Sequence, residues 1–285
     1  MAITAQMVRE LREMTGAAMM KCKQALDASN GDIQGAVDHL RKAGLKSAAK
    51  KASRDTAEGR LFAVGSEDGR RGTMVAIACE TDFLSSGDGF KALVASLESA
   101  AAATDPDGIK DGARPFLEQS IEGHENVGAA LVDAVAVYGE NIQIADLTRV
   151  ENGAGQVGYY IHHDYKQGAI VSVTTTADSA KAEETLRTLC QHIVVFNPPY
   201  ATRAEVEPEA IERERAIILE SDDMKKKPEE VRAKIVDGRM IKFYAGSVLV
   251  DQPWILDDKI SVSKALENAL GKDTQVVSFK LIKLG

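Results

Sequence analysis

The sequence predicts an α+β fold made of a three-helix head, a duplicated α+β core and a projecting antiparallel helical hairpin. Three observations carry this. The first 55 residues show only helical periodicity. The next stretch switches to period two and then runs strand–turn–strand–helix twice over. Residues 207–240 hold 10 acidic and 8 basic residues around sparse, helically spaced apolar positions. The expected units are 1–55 for the head, 56–140 for one core subdomain, 141–203 with 241–285 for the other, and 204–240 for the hairpin.

In the head, Thr4 can cap a helix whose Met7, Leu11 and Met14 share one face. Thr15-Gly16 interrupts it, and a second helix runs from Met19 to Ala28. Asn30-Gly31 signals a turn and Asp32 caps a third helix, with Ile33, Ala36, Val37 and Leu40 on one face and Gly44 at its end. Lys46 to Arg54 reads as a solvated helix or linker. Strands are expected at Arg60–Val64 and Thr73–Cys79, joined by a turn rich in glycine and charge. Helices follow near Asp88–Ala103 and, beyond loops at Pro106 and Pro115, near Glu125–Tyr138; Ile142–Val150 is then a strand. The grammar recurs with strands Val157–His163 and Ala169–Thr176 and a helix from Ser179 to about Val195, broken by Asn197-Pro198-Pro199.

The hairpin seam is expected from Ile211, Ile218, Val231 and Ile235, with a bend at Lys225-Lys226-Lys227-Pro228. A narrow apolar stripe within a charged surface is what two paired helices need. A helix near Val262–Leu270 and a strand near Gln275–Leu284 follow.

Composition narrows the function classes. A net charge of −8 argues against nucleic acid as the main ligand. It is unevenly spread: residues 1–60 hold 11 Lys/Arg against 7 Asp/Glu, a net of +4, and the remainder 24 against 36, a net of −12. No stretch reaches about 18 uncharged apolar residues, so no membrane span is expected. Met1-Ala2-Ile3-Thr4 resembles neither a signal peptide nor a transit segment, and Cys22, Cys79 and Cys190 are odd in number and scattered. A cytoplasmic location is therefore expected.

Catalytic motifs are weak. The G-x-G-x-x-G at Gly153–Gly158 leads into a strand rather than opening a helix, so it reads as a loop cluster. His162-His163 sits where adjacent strand residues point to opposite faces, which disfavours a shared metal. The cysteines lack ligand spacing. No cofactor, no metal site and no catalytic residue are expected.

The informative segment is Cys79-Glu80-Thr81-Asp82-Phe83, on the short connector between a strand and the next helix. Two placements of Phe83 fit its position: an exposed aromatic tip, or a ring tucked into the core with Asp82 capping the helix.

Several motifs in order bear on that choice. Ile3-Thr4-Ala5, Val8, Glu10-Leu11-Arg12, Thr15 through Leu26, Asn30-Gly31-Asp32-Ile33, Leu40-Arg41-Lys42 and Gly44 resemble the N-terminal signature of the elongation factor Ts family. Cys79-Glu80-Thr81-Asp82-Phe83 resembles its second signature. Tyr160-Ile161-His162-His163, Gly238-Arg239-Met240 and Gln252-Pro253-Trp254 fit its C-terminal half.

The resemblance implies a guanine-nucleotide exchange factor for elongation factor Tu, bound in its GDP and nucleotide-free forms. It implies a head similar to ubiquitin-associated domains, docking on the partner's GTPase domain, and a hairpin like the family's coiled-coil arm. It places an exchange wedge at Thr81, Asp82, Phe83 and Leu84, whose ring disturbs the partner's magnesium and phosphate site. Secondary contacts fall on Leu11, Met19, Met20 and His162. For the methionines a core role is an open alternative, and for His162 an ordinary surface role is. No direct nucleotide binding is expected, and self-association is open. The family's usual Val-Ala-Arg-Asn after the wedge is replaced by Leu84-Ser85-Ser86-Gly87, which removes an arginine and bears on exchange efficiency. The competing readings are an adaptor that uses the head alone, and an enzyme using Cys79 or His162.

Overall fold

The computed structural model describes residues 2–103, 113–225 and 227–285. The mixed helix and strand content fits the α+β class. The expected loop at Pro106 and the Lys226 position of the expected bend lie outside the described residues.

Three helices form the head: α1 (Ala5–Thr15), α2 (Met19–Ala28) and α3 (Ile33–Lys51). Thr4 Oγ1 accepts from Met7 N, and Asp32 Oδ2 accepts from Gly35 N, so two of the three starts are capped by side chains. Leu11, Cys22, Ala25, Leu26 and Ala36 form a small core. Met14, expected beside Leu11, is instead 60% exposed.

Gly44 does not end the third helix, which runs without a break to Lys51. The glycine faces α7 (Val127–Tyr138), where a methyl added to it would lie 3.4 Å from Ala136 Cβ and 3.6 Å from Val132 Cγ1. The residue therefore sets a close helix–helix approach rather than a stop. The segment expected to be solvated also takes part in packing, with Ala48 against the first core. Lys21 Nζ donates to Ala136 O at 2.7 Å, tying α2 to the same helix.

The first sheet has the order β1 (Glu58–Gly65), β2 (Arg71–Cys79), β3 (Ile142–Glu151), all antiparallel. The strand expected to open the second subdomain is thus the last strand of the first. After α7 the chain runs back along β2, pairing Ile142 with Cys79 and Glu151 with Arg71. Between β2 and β3 lie α4 (Asp82–Ser86), α5 (Asp88–Ala103), α6 (Ala113–Glu118) and α7. Pro115, expected in a loop, lies in α6, near the helix start where its missing N–H costs little.

The second sheet repeats the arrangement. β4 (Gly155–Ile161) and β5 (Gln167–Thr174) form a hairpin, and α8 (Ser179–Phe196) follows. Asn197 ends α8 in the left-handed conformation, as the Asn-Pro-Pro run suggests. Next come α9 (Pro208–Glu220), α10 (Asp222–Lys225) and α11 (Glu229–Ser247), then a small ribbon of β6 (Pro253–Trp254) and β7 (Asp257–Ser261). The helix α12 (Val262–Leu270) leads into β8 (Gln275–Lys283), which pairs with β5 to give the order β4-β5-β8.

Strand alternation sorts the core into layers. Phe62, Val75 and Ile77 face α5 and α7, while Leu61, Met74 and Ala76 face the other way. Val157, Ile170 and Ile282 of the second sheet meet this second set, so the two sheets pack face to face. Ala169, Val171 and Val173 point outward to α8 and α12. The result is helix, sheet, sheet, helix. The glycine cluster at 153–158 has a packing role in it, since a methyl on Gly158 would lie 2.3 Å from Leu186 Cβ of α8.

α9 and α11 pack through Ile218, Val236 and Met240, with Met224 beneath them and Ile211 and Ile235 partly buried. Val231, expected in this seam, is 42% exposed. The methionines and Val236 fill the place assigned to it.

Candidate functional site

β2 ends at Cys79, whose buried thiol donates to Thr81 O at 3.3 Å. Burial, together with the Glu140 carboxylate, pushes its pKa up to about 12. A thiol that holds its proton this strongly is a poor nucleophile, and burial likewise raises Cys190.

The chain then turns sharply. Thr81 is the N-cap of α4, and its Oγ1 accepts from Leu84 N at 3.2 Å. The expected capping role of Asp82 therefore falls to Thr81, and Asp82 is exposed in the first turn. Ser85 Oγ donates to Asp82 O and Ser86 Oγ to Phe83 O, both at 3.2 Å, closing the short helix locally.

Successive helical residues point about 100° apart, so neighbours on α4 have opposite fates. Phe83 is 87% exposed. Leu84 is buried in the first core. The structure thus settles the open placement of Phe83 in favour of the exposed tip. It also removes Leu84 from the surface expected to touch a partner; Leu84 anchors the turn instead.

The base of the turn is braced by residues the sequence did not single out. Glu140, half-buried just after α7, accepts from Glu80 N at 3.1 Å, Thr81 N at 3.0 Å and Thr81 Oγ1 at 2.6 Å. In return Glu80 Oε1 accepts from Asn141 N at 2.6 Å. Arg54 pairs with Glu80 at 3.1 Å, and Asn141 Nδ2 donates to Arg54 O at 3.0 Å. The Asn141 amide and the Arg54 guanidinium hold Glu80 below the usual carboxylate pKa. Glu140 and Asn141 lie 59 to 87 residues from these bonding partners, so no local pattern pointed to them.

The other candidates lie elsewhere. Met19 and Met20 are 54% and 64% exposed at the start of α2, which settles them as surface residues. Leu11 is fully buried in the head core and offers no surface to a partner. His162 is half-buried in the turn after β4, with Nδ1 3.2 Å from Tyr160 Oη. β4 ends at Ile161, so strand alternation does not separate the two histidines; their ring centroids are 4.2 Å apart. Among the described residues, no group of three His, Cys, Asp or Glu side chains is placed to hold a metal ion. Clefts of about 480 and 560 Å³ flank the turn at 65–72, and neither is lined by residues 81–84.

An aromatic ring held out on a braced, convex turn has the character of a protein-docking element rather than of an enclosed reaction centre. Comparison with known proteins gives that class a family. The elongation factor TS family model matches residues 80–285. The chain is 37% identical to elongation factor Ts of Brucella ovis, over its whole length and 93% of that protein. It is 35% identical to elongation factor Ts of Clostridium acetobutylicum, over 92% of this chain and 85% of that one.

The chain belongs to the elongation factor Ts family. Membership gives it a role in the elongation phase of protein biosynthesis. Among the described residues, no helix is long and apolar enough to cross a membrane.

Proposed function

We propose that this chain binds elongation factor Tu carrying GDP in the cytoplasm and promotes release of the nucleotide, so that GTP can rebind. The single observation that carries this reading is the 87% exposure of Phe83 on a turn pinned at its base. An exposed ring gains about 1.5–3 kcal/mol when it enters a protein pocket, and a pinned turn loses little freedom on docking. That gain offsets the displacement of the partner's elements around its magnesium and phosphate site, with Thr81 and Asp82 placing the ring.

No bond is made or broken in such a process. Linkage requires the factor and GDP to weaken each other's binding equally, so the factor acts by preferring the nucleotide-free partner. Met19, Met20 and the ubiquitin-associated-like head supply further contact in this reading, the arm of α9 and α11 engages protein as well, and His162 meets a more distant part of the partner. The chain itself binds neither guanine nucleotide nor nucleic acid.

The test follows fluorescent GDP leaving elongation factor Tu with the native chain or its Phe83→Ala variant. We expect strong acceleration by the native chain and a roughly tenfold or greater loss in the variant. Equal acceleration by both would keep the exchange activity and remove the wedge. No acceleration by the folded native chain would leave the adaptor reading, which the exposed Met14, Met19 and Met20 of the head would serve.

A further inference from the structure

We infer that Glu140 is a positioning residue for the Phe83 wedge, its carboxylate fixing the direction in which the turn presents the ring. The inference rests on the wedge reading. Its ground is the arrangement around Thr81.

A five-residue helix such as α4 cannot hold its own geometry, because a single turn fixes many dihedrals for few hydrogen bonds. Leu84 anchors one side in the core. On the other side, Glu140 takes the main-chain amides of Glu80 and Thr81 on one oxygen and the Thr81 hydroxyl on the other. An ionised carboxylate is acceptor-only, which suits three converging donors.

Glu140 is itself well placed to transmit rigidity. It follows Gly139, the left-handed cap of α7, and α7 is buried through Val127, Ala130, Leu131, Ala134 and Val135. The clasp is reciprocal, since Glu80 takes the Asn141 amide. Removing the Glu140 carboxylate would leave the turn held by Leu84 and by the Glu80 contacts with Asn141 and Arg54, with the Thr81 amide and hydroxyl released, so that the ring can swing. Displacement of an element by about 1 Å can cost a hundredfold in rate.

Glutamine at this position offers one good acceptor and brings two donors where three donors already point. Stopped-flow GDP release from elongation factor Tu, measured against concentration of the full-length Glu140→Gln chain, should show a maximal rate about tenfold lower or more. The half-saturating concentration should change less, and Glu140→Asp should recover part of the rate. In a Phe83→Ala background the same substitution should add nothing. Native-like rate in Glu140→Gln, or losses that simply add in the double variant, would overturn the inference.

Amide hydrogen exchange over residues 81–87 of the free chain reads the clamp without the partner. Faster exchange in Glu140→Gln supports it, and unchanged exchange overturns it. If Phe83→Ala alone leaves GDP release intact, the wedge reading fails by itself, and the exchange data still decide whether Glu140 holds the turn.

Discussion

Phe83 and His192 have opposite surroundings, and each carries a measurable consequence. Phe83 is large, apolar and 87% exposed, so its ring contributes nothing to the core. His192 is fully buried, with its ring parallel to Trp254 at 5.7 Å and Nε2 2.9 Å from Gln252 Oε1. Among the described residues, none pairs with its buried Nδ1. Burial lowers its pKa from the ordinary 6.5, against a smaller opposing effect of Gln252. The unfolded chain therefore binds a proton that the folded chain refuses. The stability this contributes is complete above the unfolded value of 6.5 and is lost as pH falls through the lower folded pKa. We expect the urea midpoint to drop between about pH 7.5 and 5.5, and to drop less in His192→Gln. Identical pH slopes for the two chains would assign the acid sensitivity to other groups.

At the scale of elements, glycine at position 44 holds the head against the core. Read along the sequence, a glycine after a helical run is a stop signal. In the fold it faces α7, where Ala136 and Val132 lie at contact distance from any added methyl group. Its neighbours leave room for one methyl group at ordinary contact distance and no more. Gly44→Ala should be neutral or stabilising by up to about 1 kcal/mol, because alanine is the better helix former. Gly44→Leu should pry the helices apart and lower the thermal midpoint by several degrees. A leucine variant as stable as the native chain would show that the head is loosely attached. The same lesson applies to β3, whose strand character was legible from Ile142 to Val150 while its sheet was not. Period two reports burial on one face, and says nothing about which neighbour supplies the hydrogen bonds.

For the whole molecule, the layer between the sheets determines whether the halves behave as one. Leu61, Met74 and Ala76 from the first sheet meet Val157, Ile170 and Ile282 from the second in one buried apolar cluster. Trp254, the single tryptophan, sits in the second core and reports that half alone. Phe90 is fully buried in the first core. Phe90→Ala should cost roughly 3–5 kcal/mol and shift the Trp254 fluorescence transition together with the far-ultraviolet circular dichroism. A Trp254 transition that stays in place while the dichroism shifts would show two independent folding units.

The fold class, the longer helices and strands, and the segment at 79–83 as the place to look were legible in the amino-acid sequence, whereas the short elements α4, α6, α10, β6 and β7 were not. The legible features are local properties: periodicity, caps at Thr4 and Asp32, the Asn197 stop and the turn chemistry between strands. The tertiary structure alone decided that Phe83 is outside while Leu84 is inside, that Leu11 is hidden, and that Glu140 braces the turn. Each of those outcomes depends on atoms brought together from distant parts of the chain. Contacts of that kind leave no periodic trace, because the residue that supplies the partner lies on another element whose position only packing determines.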